Sequence, residues 1–516
     1  MIKTKNKASQ VFGTTVLVLF AFMIVISGCS TKKNEGQSPS PGQSPAPSQK
    51  VGSADAKKDF VEISWYMLKP IDNEKDQKEV EAEANKVIKE KINANLTFNF
   101  FDNASWQDKM KLMSAAGEPY DLVLTTSWTN SLNDNVAKGA LLQLDDLLKK
   151  YGQDILKKTD PRAWKAVTYN GKIMAIPGQT PYTNPTSYVF KKDLVDKYKF
   201  DFKSVKSYKD LEPYLEMIKK NEPGITPLLL TSKDGPIGVL DYTPISPGVG
   251  FDEINKKVVL DIEMPGYLDK ARTMYDFYKK GYIAKDAALK TDTLAEAKSG
   301  KYAVMRDRGG YTEDGSKSTA VYGFPTVETL NGYPYISTHN ITSAATGISK
   351  TSKNPERAMM LVNLLYQDKQ LINTLAFGIE NKNYTFVSGK GTDHPVVKAN
   401  SGAEQTWAIW HNWLGPLWDS WDSNWNTAKS LEMMQKNNKS AKESVLLGFT
   451  FQNETVKTEI AQLNAIKKEV EPIIFTGSMP DFDKYMAELS LKMKNAGVDK
   501  VKAEIEKQIA AWKAQK

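Results

Sequence analysis

Between Val61 and Leu124 the chain changes hydrophobic period repeatedly, and this alternation restricts its possible folds more than any other feature. Val61-Glu62-Ile63-Ser64-Trp65-Tyr66 alternates apolar and polar residues, as a half-buried strand does. From Glu74 to about Asn93 the apolar residues Val80, Ala84, Val87 and Ile88 recur at helical spacing on a charged background. Leu96 to Phe100 alternates again. Ser105 can cap a helix running to Ala116, Gly117 can end it, and Tyr120 to Leu124 read as a buried strand. The order β-α-β-α-β is that of a parallel sheet flanked by helices, so the expected fold class is α/β.

Further units follow. Leu144 to Tyr151 reads as a short helix stopped by Gly152, and Lys172 to Ile176 as a strand closed by Pro177-Gly178. Ser187 to Phe190 with Asp193 to Tyr198, and Leu228 to Leu230 with Ser207 to Asn221, form strand and helix pairs. Tyr302 to Met305 reads as another buried strand. After Asn354-Pro355 the pattern is mainly helical, over Glu356–Tyr366, Asp368–Phe377, Glu454–Val470, Phe482–Asn495 and Val498–Ala514. A chain of 516 residues exceeds one hydrophobic core, and these units predict two α/β lobes with a cleft between them.

The first residues read differently. Lys3, Lys5 and Lys7 precede an apolar run from Val11 to Ile26, which ends in Ser27-Gly28-Cys29, the pattern of a secretory signal. The run is short of the roughly 20 residues a bilayer core needs, and no basic stop-transfer cluster follows it. Ile26-Ser27-Gly28-Cys29 resembles a bacterial lipobox, and the resemblance implies that residues 1–28 are removed and Cys29 is lipidated. Residues 29–58 lack aromatics and are rich in Ser, Pro, Gly, Gln and Lys, so they read as a flexible stalk. Cys29 is the chain's one cysteine, which excludes an internal disulfide, a multi-cysteine zinc site and an iron–sulfur cluster. A net charge of +8, evenly spread, does not imply a nucleic-acid partner.

Catalytic patterns are scarce. H-E-x-x-H and G-x-S-x-G are absent, and the three histidines (His339, His394, His411) are far apart in sequence. Gly310 to Ser318 lacks the Gly-Lys-Ser/Thr of a phosphate loop and reads as a surface turn. Asp422-x-Asn424-x-Asn426 opens like a calcium loop but has Thr427 where Gly belongs and Met433 where the bidentate Glu belongs, so no metal is expected. A pair of carboxylates for glycoside hydrolysis stays open, because such a pair can come from anywhere in a fold.

The tryptophans are unusual. Of 11, six (Trp407, Trp410, Trp413, Trp418, Trp421 and Trp425) fall in one short stretch. Indole faces stack on sugar C–H faces, while the near-helical spacing fits a packed core; both readings stand, and Gly415-Pro416 interrupts any continuous helix. Other aromatic and polar residues follow strand ends, where α/β folds place ligands. The candidate binding residues are Trp65, Trp128, Tyr182, Trp410 and Trp418 as stacking platforms, with Asn130, Gln179, Arg306, Asp307 and Asn412 as hydroxyl partners.

Four segments carry a family resemblance: Met113–Leu124 (MSAAGEPYDLVL), Ala137–Leu148 (AKGALLQLDDLL), Gly171–Pro177 (GKIMAIP) and Gly347–Ala358 (GISKTSKNPERA). In these the body resembles extracellular solute-binding proteins of carbohydrate ABC importers. Gly378–Tyr384, Leu447–Phe451, Val456–Ile460 and Asn495–Asp499 are similar to the C-terminal region of the large Gram-positive lipoproteins of the LplA and LipO type. The resemblance implies a two-lobed periplasmic-binding-protein-like fold with a helix-rich C-terminal region. It also implies an oligosaccharide ligand, capture by hinge closure, permease subunits as partners, no cofactor, and a monomer anchored by lipid on the outer face of the cell membrane. The expected lobes are 59–180 with about 323–378, and 181–322 with about 379–516, crossing near Ile176–Tyr182, Tyr322–Pro325 and Phe377–Glu380. The rival is a surface-anchored polysaccharide-degrading enzyme.

Overall fold

The computed structural model describes residues 59–183, 186–233, 241–306, 311–312, 314–331 and 335–515. The signal, Cys29 and the stalk lie outside the described residues. Lys58–Lys516 forms one compact unit, built on two main sheets with separate cores.

The first sheet follows the alternation read from the sequence. β1 (Val61–Leu68), α1 (Gln77–Ile92), β2 (Ala94–Phe101), α2 (Asn103–Ala116), β3 (Leu122–Thr125) and α3 (Leu132–Ala137) succeed one another. β1 pairs in parallel with β2 and with β3. The N-cap of α2 is Asp102, so Ser105, expected to cap it, lies inside the helix. Ala345–Ile348 then pairs antiparallel to β3 on one side and to Ile176–Pro177 on the other, giving five strands. The expected strand Lys172–Ile176 is divided: Thr168–Tyr169 and Lys172–Ile173 form a hairpin around Asn170-Gly171, and a new strand begins at Ile176.

The second sheet has the order Thr326–Asn331, Thr186–Lys191, Tyr302–Arg306, Thr226–Leu228. A third, Tyr242–Ser246, Val249–Asp252 and Lys257–Leu260, is antiparallel and packs on the C-terminal helices Lys457–Thr476, Phe482–Asn495 and Val498–Ala514. The periodicity of the sequence does not predict that small sheet.

These pairings move two expected boundaries. Thr326–Asn331 hydrogen-bonds along its whole length to Thr186–Lys191 and so belongs to the second lobe, not the first. Residues after Phe377 stay with the first lobe, because Trp407, Ile409 and Leu414 enter its core, while Tyr384, Val397 and Trp421 pack around Phe377. The chain therefore crosses between the sheets after Pro177, between Asn331 and Ala345, and again after Ala441. A small separate core collects at these crossings: Tyr182, Ile336, Ile341, Ala441 and Leu447 around Ala163 and Ala166.

The tryptophan stretch is not one helix. It comprises the short helix His411–Leu414, a 3-10 turn at Leu417–Asp419 and a short strand at Asp422–Ser423. His411 is buried there, its Nε2 3.0 Å from Asn373 Oδ1. The Asn373 amide nitrogen donates to the carbonyls of Lys369 and Asp419, which turns its oxygen towards the ring, so the assigned tautomer carries its proton on Nε2. Burial lowers the His411 pKa from 6.5 to about 3. The unfolded chain then binds a proton that the folded chain refuses, and stability is lost as pH falls from about 6.5 towards about 3, at up to roughly 1.4 kcal/mol per pH unit. Urea denaturation across that window should give a shallower pH dependence for His411→Asn than for the parent; equal slopes would contradict the assignment.

Candidate functional site

Strand direction gathers the site. β1, β3 and Ile176–Pro177 all end at one edge of the first sheet, and Ala345 begins there: Thr125 pairs with Ala345, and Ala345 with Pro177. The chain leaves β1 through α1 to β2 on one side, then returns through α2 to β3 on the other. This edge is therefore the topological switch point, where open α/β sheets bind ligands.

The loop after β3 is held by its own side chains. Thr126 Oγ1 accepts the Thr129 N–H at 2.9 Å and donates to the Thr129 carbonyl at 2.6 Å. Asn130, at a left-handed φ of 43°, donates from Nδ2 to the Leu124 carbonyl at 3.0 Å and accepts Asn135 Nδ2 at 2.9 Å. Ser131 caps α3 by accepting the Asp134 N–H. With Thr126, Thr129 and Asn130 turned inward, the loop leaves Trp128 outside, 53% exposed.

Thr126 and Ser127, the two residues before Trp128, open onto a crevice of about 320 Å³. Ser127 and Asp134 line it from the first lobe, Thr243 and Ile245 from the third sheet, and His339 and Phe451 from the crossing segments. Ser127 Oγ and His339 Nε2 face each other at 3.5 Å. The His339 ring reaches solvent but is closely walled by protein, and this desolvation lowers its pKa. It is therefore a neutral imidazole near pH 7, able to donate one hydrogen bond and accept another.

Trp410 and Asn412 reach the same edge. A Cβ on Gly178 would lie 2.3 Å from the Asn412 carbonyl oxygen, so only glycine lets the turn at His411–Leu414 sit against the end of Ile176–Pro177. Trp410 is 40% exposed and its ring meets Trp425 at 5.9 Å; Asn412 is half-buried.

The other candidates take different places. Trp65 is wholly buried at mid-strand against Phe98, and as a stacking platform it is corrected: its register faces the core. Asn130 and Gln179 are buried and committed to the backbone. Gln179 donates to the Lys158 carbonyl and accepts the Trp418 N–H, and so braces the edge from behind. Tyr182 is buried in the small core at the crossings, its hydroxyl donating to the Gly178 carbonyl at 3.3 Å and its pKa raised by burial. These three therefore have no free face for a sugar. Trp418, half-buried, lines a different hollow with His394 and Glu432. Arg306 ends its strand in the second sheet, half-buried, and its charge adds to burial in lowering the Lys270 pKa to about 8. Asp307 lies outside the described residues. Ser127, Asp134 and His339 were missed. The cap patterns Ser131–Asp134 and Ser337–Asn340 mark their loops in sequence, but nothing local shows that the loops meet.

The model of the bacterial extracellular solute-binding proteins matches residues 72–372, more than half of the chain. The chain belongs to that family. A second model, a domain of unknown function (DUF3502), matches residues 445–514. A carbohydrate ABC transporter substrate-binding protein of Streptococcus pneumoniae serotype 4 is 31% identical over 438 residues, which is 83% of this chain and 87% of the relative. The crystal structure of the N-glycan transport solute binding protein NgtS from Streptococcus pneumoniae superposes with a TM-score of 0.74 at 29% identity, covering 87% of this chain and 98% of that one. Its complexes with Man1GlcNAc and Man5GlcNAc give 0.64 and 0.62 at the same identity, covering 87% of this chain and 98% and 97% of theirs. These relatives are transporter binding proteins and not enzymes, which decides against the rival reading. No helix among the described residues is long and apolar enough to cross a membrane.

If Trp65 is core and Trp128 is surface, alanine should separate them. Trp65→Ala should cost about 3–5 kcal/mol in chemical denaturation and Trp128→Ala within about 0.5 kcal/mol. Equal losses would undo this division.

Proposed function

We propose that this chain captures an oligosaccharide at the switch-point edge by hinge closure and passes it to an ABC importer. The observation that carries the reading is Trp128, a large indole held out of the core by a loop braced through Thr126 and Asn130, directly after Thr126 and Ser127, which line a crevice together with further hydroxyls and a neutral imidazole. An indole face meets the C–H face of a pyranose, and the groups that line the crevice meet hydroxyls. Trp410, Asn412 and, from the second lobe, Arg306 complete the set of ligand-facing groups. Because NgtS is named for N-glycan transport and was crystallised with mannose-containing glycans, glycans of that type are the first ligands for this chain. The lower TM-scores of the NgtS complexes at unchanged identity support a movement of the lobes, since the sequence is the same and only the shape differs.

The rest of the reading concerns placement. Cys29 carries the lipid, the stalk spans outwards, the body is a monomer of the LplA and LipO type, and separately encoded permease subunits are the partners. Support comes from the lipobox-like Ile26–Cys29 and from the C-terminal match over 445–514, which contains Leu447–Phe451 and Val456–Ile460.

Thermal shift across a panel of Man1GlcNAc, Man5GlcNAc and plant-wall oligosaccharides should raise the melting temperature for one glycan class, with no new reducing ends. Trp128→Ala should weaken that glycan about tenfold. Stabilisation by none of the panel, or release of reducing ends, would refute the reading. Separately, Cys29→Ala should move the protein from the membrane fraction to the medium; retention on the membrane would remove the lipid anchor.

A further inference from the structure

The crevice is at the small end for ligand sites, which run from about 300 to 1,000 Å³. A second hollow of about 940 Å³ adjoins it. The two share Asn133, Tyr169 and Thr450, which stand between them as a partition. Asn133 Oδ1 accepts Gln452 Nε2 at 2.6 Å across this partition. Gln452 is itself fixed: its N–H donates to Gln508 Oε1 at 2.9 Å, and its carbonyl accepts Gln508 Nε2 at 2.8 Å. The larger hollow thus has one wall from α3 and residues 161–171 of the first lobe, and another from residues 447–452 and the last turn of the C-terminal helix.

Its chemistry is selective. Trp164, Tyr169 and Trp512 are each half-buried in the walls. Trp512 is propped edge-on by Phe449, ring centres 5.7 Å apart. Burial raises the Tyr169 phenol to about 12, so it remains a neutral O–H at physiological pH. Among the described residues that line the hollow there is no carboxylate, and the one cation, Lys165, is paired with Glu443 at 2.6 Å. A charged ligand would lose water here without a free counter-charge, and a hydrocarbon would desolvate the amides of Asn133 and Gln452 while offering them nothing beyond the one bond they share. Aromatic faces alternating with neutral amides suit a neutral sugar.

We propose that this hollow is a second saccharide chamber, occupied by the outer residues of a glycan whose other end lies in the crevice, and that it sets the length of glycan the protein prefers. The proposal rests on the oligosaccharide reading above and deepens it. A short glycan fills the crevice alone, whereas a longer one passes the Asn133–Gln452 contact and stacks on Trp164 and Trp512.

The test uses the full chain labelled with fluorotryptophan, the resonances of Trp128, Trp164 and Trp512 being assigned by single replacement with phenylalanine. Man1GlcNAc, Man5GlcNAc, mannopentaose and xylopentaose are titrated and followed by fluorine NMR. At least one five-sugar or larger probe should shift Trp164 and Trp512 together with Trp128, and Trp512→Ala should weaken that probe about tenfold while leaving Man1GlcNAc within about twofold. Shifts confined to Trp128 would overturn the chamber and leave the capture function standing. No indole shift with any probe would overturn both.

Discussion

Four residues, Ala345–Ile348, close the first sheet by pairing with β3 and with Ile176–Pro177, and the geometry of the site depends on that closure. The strand arrives from 220 positions beyond Thr125, whose hydroxyl donates to the Ala345 carbonyl at 3.1 Å. Because it runs antiparallel, its beginning lies beside the ends of β3 and Ile176–Pro177. Helix Thr338–Ile341, just before it, is thereby brought against the loop after β3, and His339 against Ser127. The pairing is close: a Cβ at Gly347 would stand 2.7 Å from a Leu141 methyl. A substitution there acts on the site from a distance, by moving the strand that sets the edge.

The same edge separates two uses of tryptophan. Trp65 pairs in register with Phe98 and Leu122, and its ring is covered by the first core, where a large aromatic contributes most to folding. Trp128 contributes little by burial, because half of its surface meets water. Stability therefore does not account for an indole at that position. The four polar residues Thr126, Thr129, Asn130 and Asn135 all serve to hold the loop that carries it.

Local pattern carried much of this into the sequence. β1 to β3 and their helices were legible because alternation and helical spacing are properties of short windows, and the helices Pro355–Gln367, Lys369–Phe377 and those of the C-terminus were legible for the same reason. The small antiparallel sheet was not, since Tyr242–Ser246 and Val249–Asp252 carry little alternation and take their partners from the C-terminal helices. Strand-end position marked Trp65 and Trp128 equally. What distinguishes them is that β1 runs on past Trp65 to Leu68, and no residue near Trp65 announces that. Gln179 and Tyr182 were legible as edge residues but not as braces, because the groups that bind them, Trp418 and Asn438, come from far along the chain.

Tyr182 gives the clearest account of how the lobes are joined. It comes from the first crossing, Ile336 and Ile341 from the second, and Ala441 and Leu447 from the third, and together they form a small core around Ala163 and Ala166. Away from it, the facing surfaces meet through polar contacts: Ser127 with His339, Asn133 with Gln452, and Ser444 Oγ with Glu253 Oε1 at 2.5 Å. Polar contacts of this kind exchange readily for water, whereas opening the small core would expose apolar surface at about 25 cal/mol per Å². The crossings are thus the part that resists separation, and the surfaces on either side are the part that parts easily. A movement of the lobes pivots most easily at the cluster around Tyr182, where burial makes that aromatic part of the joint and leaves it no exposed face at the switch-point edge.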